Sequence, residues 1–110
     1  MSAVGLIKVA SATDIPEGEA RRFAVDGRDV AVANLGEEGF RAVGDICSHA
    51  HYFLHEGEVD ADFGTIECPK HGSTFDLDTG KPRSLPATQP VPVYNVKVEN
   101  NDVKVEIPDG

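Results

Sequence analysis

The chain has 110 residues, enough for one globular domain and not two, and its content of 40% hydrophobic and 26% charged residues excludes disordered, collagen-like and membrane-embedded classes. Nineteen acidic residues against ten basic ones leave a formal net charge of −9, which repels a phosphate backbone, so no nucleic-acid partner is expected. The N-terminal stretch holds one basic side chain, Lys8, and an apolar run too short for a signal peptide or a spanning helix, so the expected location is the cytoplasm, off the membrane.

From the N-terminus onward, apolar and polar residues alternate. The period of two recurs at residues 6–10, 20–25, 29–33, 40–43, 93–98 and 103–107, and each run predicts a half-buried strand. After the first run, residues 13–17 predict a short turn capped by Thr13 or Asp14. Asp26-Gly27 separates the second run from the third and predicts a hairpin, because such turns need positive φ and glycine adopts it without a steric clash. Gly36 and Gly39 punctuate the next connection, and Asn100-Asn101 marks the last hairpin. No window supports a long helix, and neither an internal repeat nor a linker divides the chain. An all-β single domain spanning residues 1–110 is expected.

Residues 45–92 break this pattern. They hold both cysteines, all four histidines and prolines at Pro82, Pro86, Pro90 and Pro92, and they read as a functional lobe inserted in a β base. Proline supplies no N–H to a ladder, so the stretch from Pro82 predicts an extended, stiff loop that either connects or packs against the site. Two short groups stand out in the lobe, Cys47-Ser48-His49 and Cys68-Pro69-Lys70-His71, with eighteen residues between them. Each offers one soft thiolate and one imidazole, so two loops face to face would present a cysteine pair and a histidine pair. That set suits a two-iron cluster whose ends differ chemically. A lone disulfide is a competing use of the cysteines, and a Cys2His2 zinc site a competing use of all four residues. Thiols beside histidines in a cytosolic chain favour a metal, and zinc-finger spacing keeps the cysteines in one short group and the histidines in another, whereas here each group mixes them.

The pattern C-x-H, long gap, C-x-x-H resembles the Rieske family, in which two cysteines hold one iron of a [2Fe-2S] cluster and two histidines hold the other. The likeness extends through Cys68-Pro69-Lys70-His71-Gly72-Ser73-Thr74-Phe75-Asp76, to Asp78-Thr79-Gly80, and to Pro86-Ala87 followed by Pro92-Val93-Tyr94. It implies a small antiparallel β-sandwich or barrel with a cluster-binding subdomain formed by two loops. The same resemblance implies one [2Fe-2S] cluster per chain on Cys47, His49, Cys68 and His71. It further implies an electron carrier and not an enzyme, a monomer fed by a flavin- or NAD(P)H-dependent reductase and discharging to a terminal oxygenase or similar acceptor. An accessory subunit, a redox sensor or assembly factor, and a zinc-stabilised interaction module are the alternatives.

The departures from the family pattern bear on redox behaviour. High-potential Rieske proteins carry an additional cysteine in each ligand loop, joined as a disulfide, where this chain has Tyr52 and Lys70. They also place a tyrosine where this chain has Phe75, which cannot donate to a ligand sulfur. Fewer hydrogen bonds to sulfur and a net charge of −9 both favour the oxidised cluster, so a low potential resembling the ferredoxins of bacterial oxygenase systems is expected. Gly72 is expected to let the backbone turn close to the cluster, and Ser73 either to donate to a bridging sulfide or to face solvent. His51 and His55 are not expected to be ligands. Both read as exposed histidines, His51 near a docking tip formed by the His49 and His71 edges.

Overall fold

The computed structural model describes residues 5–25, 27–46, 52–69, 72–83 and 89–107. The base is built from β1 (Gly5–Ser11), β2 (Ala20–Val25), β3 (Arg28–Asn34), β4 (Phe40–Gly44), and, after the lobe, β8 (Val93–Tyr94), β9 (Val96–Glu99) and β10 (Asp102–Ile107). The lobe contributes β5 (Val59–Asp60), β6 (Thr65–Glu67) and β7 (Thr74–Asp76). They form three antiparallel sheets in the orders β1-β10-β9, β2-β3-β4-β8 and β5-β6-β7. Among the described residues the helical elements are three short 3-10 turns, at Ala12–Asp14, Gly36–Glu38 and Leu54–Glu56. The architecture is all-β, as expected.

Local chemistry explains the connections. Val25 pairs with Arg28, and Gly27 between them takes a positive φ of 79°; Asp26, the other residue of the expected turn, lies outside the described residues. Glu99 pairs with Asp102, and both residues between them take positive φ, 51° at Asn100 and 67° at Asn101. Asparagine tolerates that region better than other side chains, and two such residues in succession match the right-handed twist of the flanking strands. The first 3-10 turn is held by Asp14, whose carboxylate accepts the Ser11 N–H at 2.9 Å. The turn starts earlier than expected and its N-cap is Ser11, not Thr13 or Asp14; Asp14 is its third residue and bonds back to the cap.

The middle sheet is covered on both faces. Val30 and Val32 of β3 pack into a core with Ala10, Val103 and Val105, while Ala31 and Ala33 face a second core with Leu54, Ile66 and Phe75 of the lobe. From Val30 to Ala33 the third run is thus buried on both faces, not half-buried: its alternation there is of large against small apolar residues. Alanines on the lobe side let the lobe sit close to the strand backbone.

Two further expectations are corrected. The run at residues 93–98 is two strands: β8 pairs with β4 in the middle sheet and β9 pairs with β10 in another. Asn95 makes the crossing, its carbonyl accepting the Glu106 N–H at 2.8 Å and its side-chain amide donating to Glu106 Oε1 at 2.7 Å. The lobe is also more than two loops, since β5, β6 and β7 form a sheet of their own with Ile66 opposite Val59 and Phe75. Strands of two or three residues are too short to show a period.

Candidate metal centre

The described residues flanking each short ligand group pair with one another as a neck. For the second group, β6 and β7 end in the pair Glu67 and Thr74, and the next rung is closed by the Cys68 N–H donating to Ser73 O at 2.7 Å. The Gly72 N–H returns to Cys68 O at 3.0 Å. Gly72 has φ +74°, a left-handed conformation that disfavours residues with a side chain, and this is what turns the chain back after His71. Cys68 is a fully buried free thiol in the same core as Leu54, Ile66, Phe75 and Val91. Ser73 is fully buried as well, so of its two expected settings the solvent-facing one is excluded.

The first group has the same construction. Ile46 bridges Phe53 in antiparallel fashion, and the Leu54 N–H donates to Asp45 O at 2.6 Å. The residues between these two rungs include Cys47 and His49. Those two, with His51, Lys70 and His71, lie outside the described residues, so of the four proposed ligands the structure places Cys68 alone.

The two necks are packed side by side. Gly57, just after the Leu54–Glu56 turn, presses against β6 so closely that a Cβ there would lie 1.6 Å from Glu67 O and 3.3 Å from Pro69 Cδ. The Glu67 N–H donates to Glu58 O at 2.8 Å in the same seam. Above it, the described ends of the proline-containing stretch join in: Pro82 bridges Phe75, the Val91 N–H donates to Gly80 O at 2.9 Å, and the Gly44 N–H to Pro92 O at 2.8 Å. Pro86 lies outside the described residues.

The electrostatics of the first neck come from Asp45, His55 and Arg22, of which only His55 carried an expectation, as an exposed histidine. Asp45 is fully buried, and its carboxylate accepts the His55 backbone N–H at 2.8 Å and the His55 Nδ1–H at 2.7 Å. Arg22 Nε lies 3.8 Å from the same carboxylate, and the Arg22 guanidinium also bonds Asp29 while its Cζ stands 5.4 Å from the centre of the Phe53 ring. Burial holds the Asp45 carboxyl above its usual range, with the His55 hydrogen bonds and the His55 and Arg22 charges offsetting only part of that rise. His55 is accordingly not an exposed histidine without a partner. The available signal was Asp45 itself: a carboxylate directly after an apolar strand is buried only when it is paired.

A buried thiol on a glycine-turned hairpin, packed beside the neck formed by Asp45, Ile46, Phe53 and Leu54, fits a sulfur ligand to a compact metal centre. Comparison with known proteins identifies the centre. The model of the Rieske [2Fe-2S] domain matches residues 5–95. The chain belongs to the Rieske family. Its cofactor is accordingly a [2Fe-2S] cluster. This Rieske chain is 42% identical over 97 residues to the 3-phenylpropionate/cinnamic acid dioxygenase ferredoxin subunit of Shigella boydii, covering 88% of this chain and 89% of that one. The Escherichia coli K12 protein of the same name shares the same identity and coverage. Among solved structures, the ferredoxin of carbazole 1,9a-dioxygenase from Nocardioides aromaticivorans IC177 superposes with a TM-score of 0.87 at 34% identity, covering 94% of this chain and 98% of that one. A complex of reduced oxygenase and oxidized ferredoxin in carbazole 1,9a-dioxygenase contains a chain that superposes with a TM-score of 0.83 at 38% identity, over 92% of both.

Proposed function

We propose that this chain is the ferredoxin component of an oxygenase system, a one-electron carrier that takes an electron from a flavin- or NAD(P)H-dependent reductase and passes it to a terminal oxygenase. The observation that carries this reading is the agreement over nearly the whole length with ferredoxin subunits of dioxygenase systems. When bound, the [2Fe-2S] cluster supplies a reversible one-electron couple. Cys47 and Cys68 would hold one iron and His49 and His71 the other. The buried Cys68 keeps the sulfur side inside the lobe core, and the histidine side is the proposed exit for the electron.

The surroundings of the first hairpin support docking there. Ile46, Tyr52 and Phe53, which flank the residues carrying Cys47 and His49, all keep part of their apolar surface exposed. A partner can bury that collar and shorten the transfer path at once. One domain over residues 1–110, acting as a diffusing monomer in the cytoplasm, is the organisation that goes with this role; no helix among the described residues is long and apolar enough to cross a membrane.

The test is reconstitution. Chain purified without oxygen is mixed with NADH, a flavin-dependent ferredoxin reductase and a terminal Rieske oxygenase. Substrate-coupled oxygen uptake is expected to rise with the concentration of this chain and to vanish in its absence. Uptake that is indifferent to the chain would overturn the carrier role, and purification as a fixed stoichiometric part of a reductase would replace the diffusing carrier by an accessory subunit.

A low midpoint potential follows from the same reading. Phe75 is fully buried beside Cys68 in the lobe core, where its ring offers no hydrogen-bond donor, and the net charge of −9 disfavours an added electron. Protein-film voltammetry at neutral pH is expected to find a midpoint on the order of −150 mV. A midpoint at or above roughly +200 mV would show that donors to sulfur dominate after all.

A further inference from the structure

The hydrogen-bonded group around Asp45 lies at the root of the first ligand hairpin and touches neither end of it by chance. Asp45 directly follows β4, which leads into the loop, and Leu54 and His55 begin the segment that leaves it. Three bonds cross this neck from the leaving side to Asp45: Leu54 N–H to the backbone carbonyl at 2.6 Å, His55 N–H to one carboxylate oxygen at 2.8 Å and His55 Nδ1–H to the other at 2.7 Å. Both carboxylate oxygens are thereby engaged by a single residue across the loop.

The same carboxylate is anchored to the base. The Asp45 N–H donates to Asp29 O at 2.9 Å, and Arg22 of β2 bridges the Asp29 and Asp45 carboxylates. On the leaving side, the Phe53 ring lies between the Arg22 guanidinium at 5.4 Å and the His55 ring, centroid to centroid, at 5.8 Å. Ile46 and Phe53, by contrast, make a single isolated bridge, so the sheet ladder alone closes the loop weakly. A fully buried carboxylate facing two donors from one residue has one low-energy arrangement, and it transmits that arrangement to the chain on both sides.

We infer that Asp45 and His55, backed by Arg22, form the positioning element of the first ligand loop: a side-chain staple that fixes the separation of the loop's two ends and thereby the placement of Cys47 and His49 for cluster binding. This rests on the ligand assignment proposed above. The staple touches no reacting atom. It acts by fixing the two ends of the loop, which lowers the ordering cost of bringing its ligands to the cluster. Partners one shell removed from a metal commonly contribute in this way.

Two variants separate the hydrogen bond from the packing of the ring. His55→Phe keeps a ring against Phe53 and removes the side-chain donor to Asp45; His55→Gln removes the ring and keeps an N–H donor. Each is purified with its cluster, and three quantities are compared with the unaltered chain: iron release to an excess of chelator under anoxic conditions, the electron paramagnetic resonance g values after reduction, and the thermal melting midpoint. The expected result is iron release faster by about tenfold or more in His55→Phe, the size of effect typical for loss of an outer-shell partner, with displaced g values. His55→Gln is expected to release iron close to the unaltered rate and to keep its g values.

Release from His55→Phe at the unaltered rate with unchanged g values would overturn the staple. So would the reverse order, with Gln impaired and Phe intact, because ring packing would then be the cause. If neither variant folds, His55 serves the fold as a whole and not the loop, and the inference falls. An unaltered chain that binds no iron at all would sink the proposed function instead, which keeps the two failures apart.

Discussion

Cys68→Ser is expected to leave a colourless protein with iron and acid-labile sulfide close to zero. Cys68 is fully buried and closes the last rung of the β6-β7 hairpin through its backbone, so its side chain is held in place by bonds that the substitution does not touch. What changes is the donor atom. A serine hydroxyl is a hard oxygen that stays protonated at neutral pH, whereas iron-sulfur clusters are held by thiolates. The measurement is iron and sulfide stoichiometry with the visible spectrum, and His71→Ala serves as the matching change on the nitrogen side. In the unaltered protein the reduced cluster is expected to give the low average g value that nitrogen ligation produces. A spectrum of the all-cysteine type, or a Cys68→Ser protein that keeps its cluster, would overturn the ligand assignment. Stoichiometric zinc in a colourless unaltered protein would establish the zinc-stabilised module in its place.

Gly57→Ala is expected to destabilise the chain by about 3 kcal/mol or more, at the upper end of what overpacking a core does. The backbone at Gly57 is extended, with φ −90° and ψ −176°, so conformation does not demand glycine there. Space does: the added methyl would lie 1.6 Å from Glu67 O. That oxygen belongs to backbone, and relieving the clash means pulling β6 away from the segment whose Glu58 O accepts the Glu67 N–H. The two ligand hairpins would then separate at their seam. In a domain of about this size the loss corresponds to a fall in melting temperature of roughly 10 °C or more, with cluster loss on the same scale. Gly18→Ala is the control. It sits at φ +83° with no atom within 4 Å, so it adds backbone strain alone and is expected to remove only about 1 kcal/mol. Equal melting temperatures for the two variants would show that the seam yields easily.

Much of the base was legible in residue order because its signals are local. The alternation at residues 20–25 became β2 with the same bounds, Gly27 took positive φ between β2 and β3, and Asn100-Asn101 became a two-residue turn, since positive φ is a property of the turn residues themselves. The candidate ligands were legible for a similar reason: C-x-H and C-x-x-H bring donors together within a few residues, and only the long gap has to be closed by folding. The crossing at Asn95 was not legible, because a strand that changes sheets keeps its period of two on both sides. The lobe sheet was hidden by brevity.

The role of His55 was hidden for a different reason. Nothing in residue order distinguishes a histidine ten positions after a buried aspartate from one facing water; their meeting depends on a hairpin neck closing between them. Gly57 likewise looks like any loop glycine until β6 is placed against it.

Residue order by itself determined the chemical class of the centre and the β character of the chain, because donor type, strand period and turn preference are carried by neighbouring residues. Tertiary structure alone decided that β3 is buried from both sides, that the two hairpin necks meet at Gly57, and that Asp45, His55 and Arg22 lock the first of them. Those features arise from contacts between segments distant in the chain, where burial and the pairing of charge are set by what the fold brings opposite each residue.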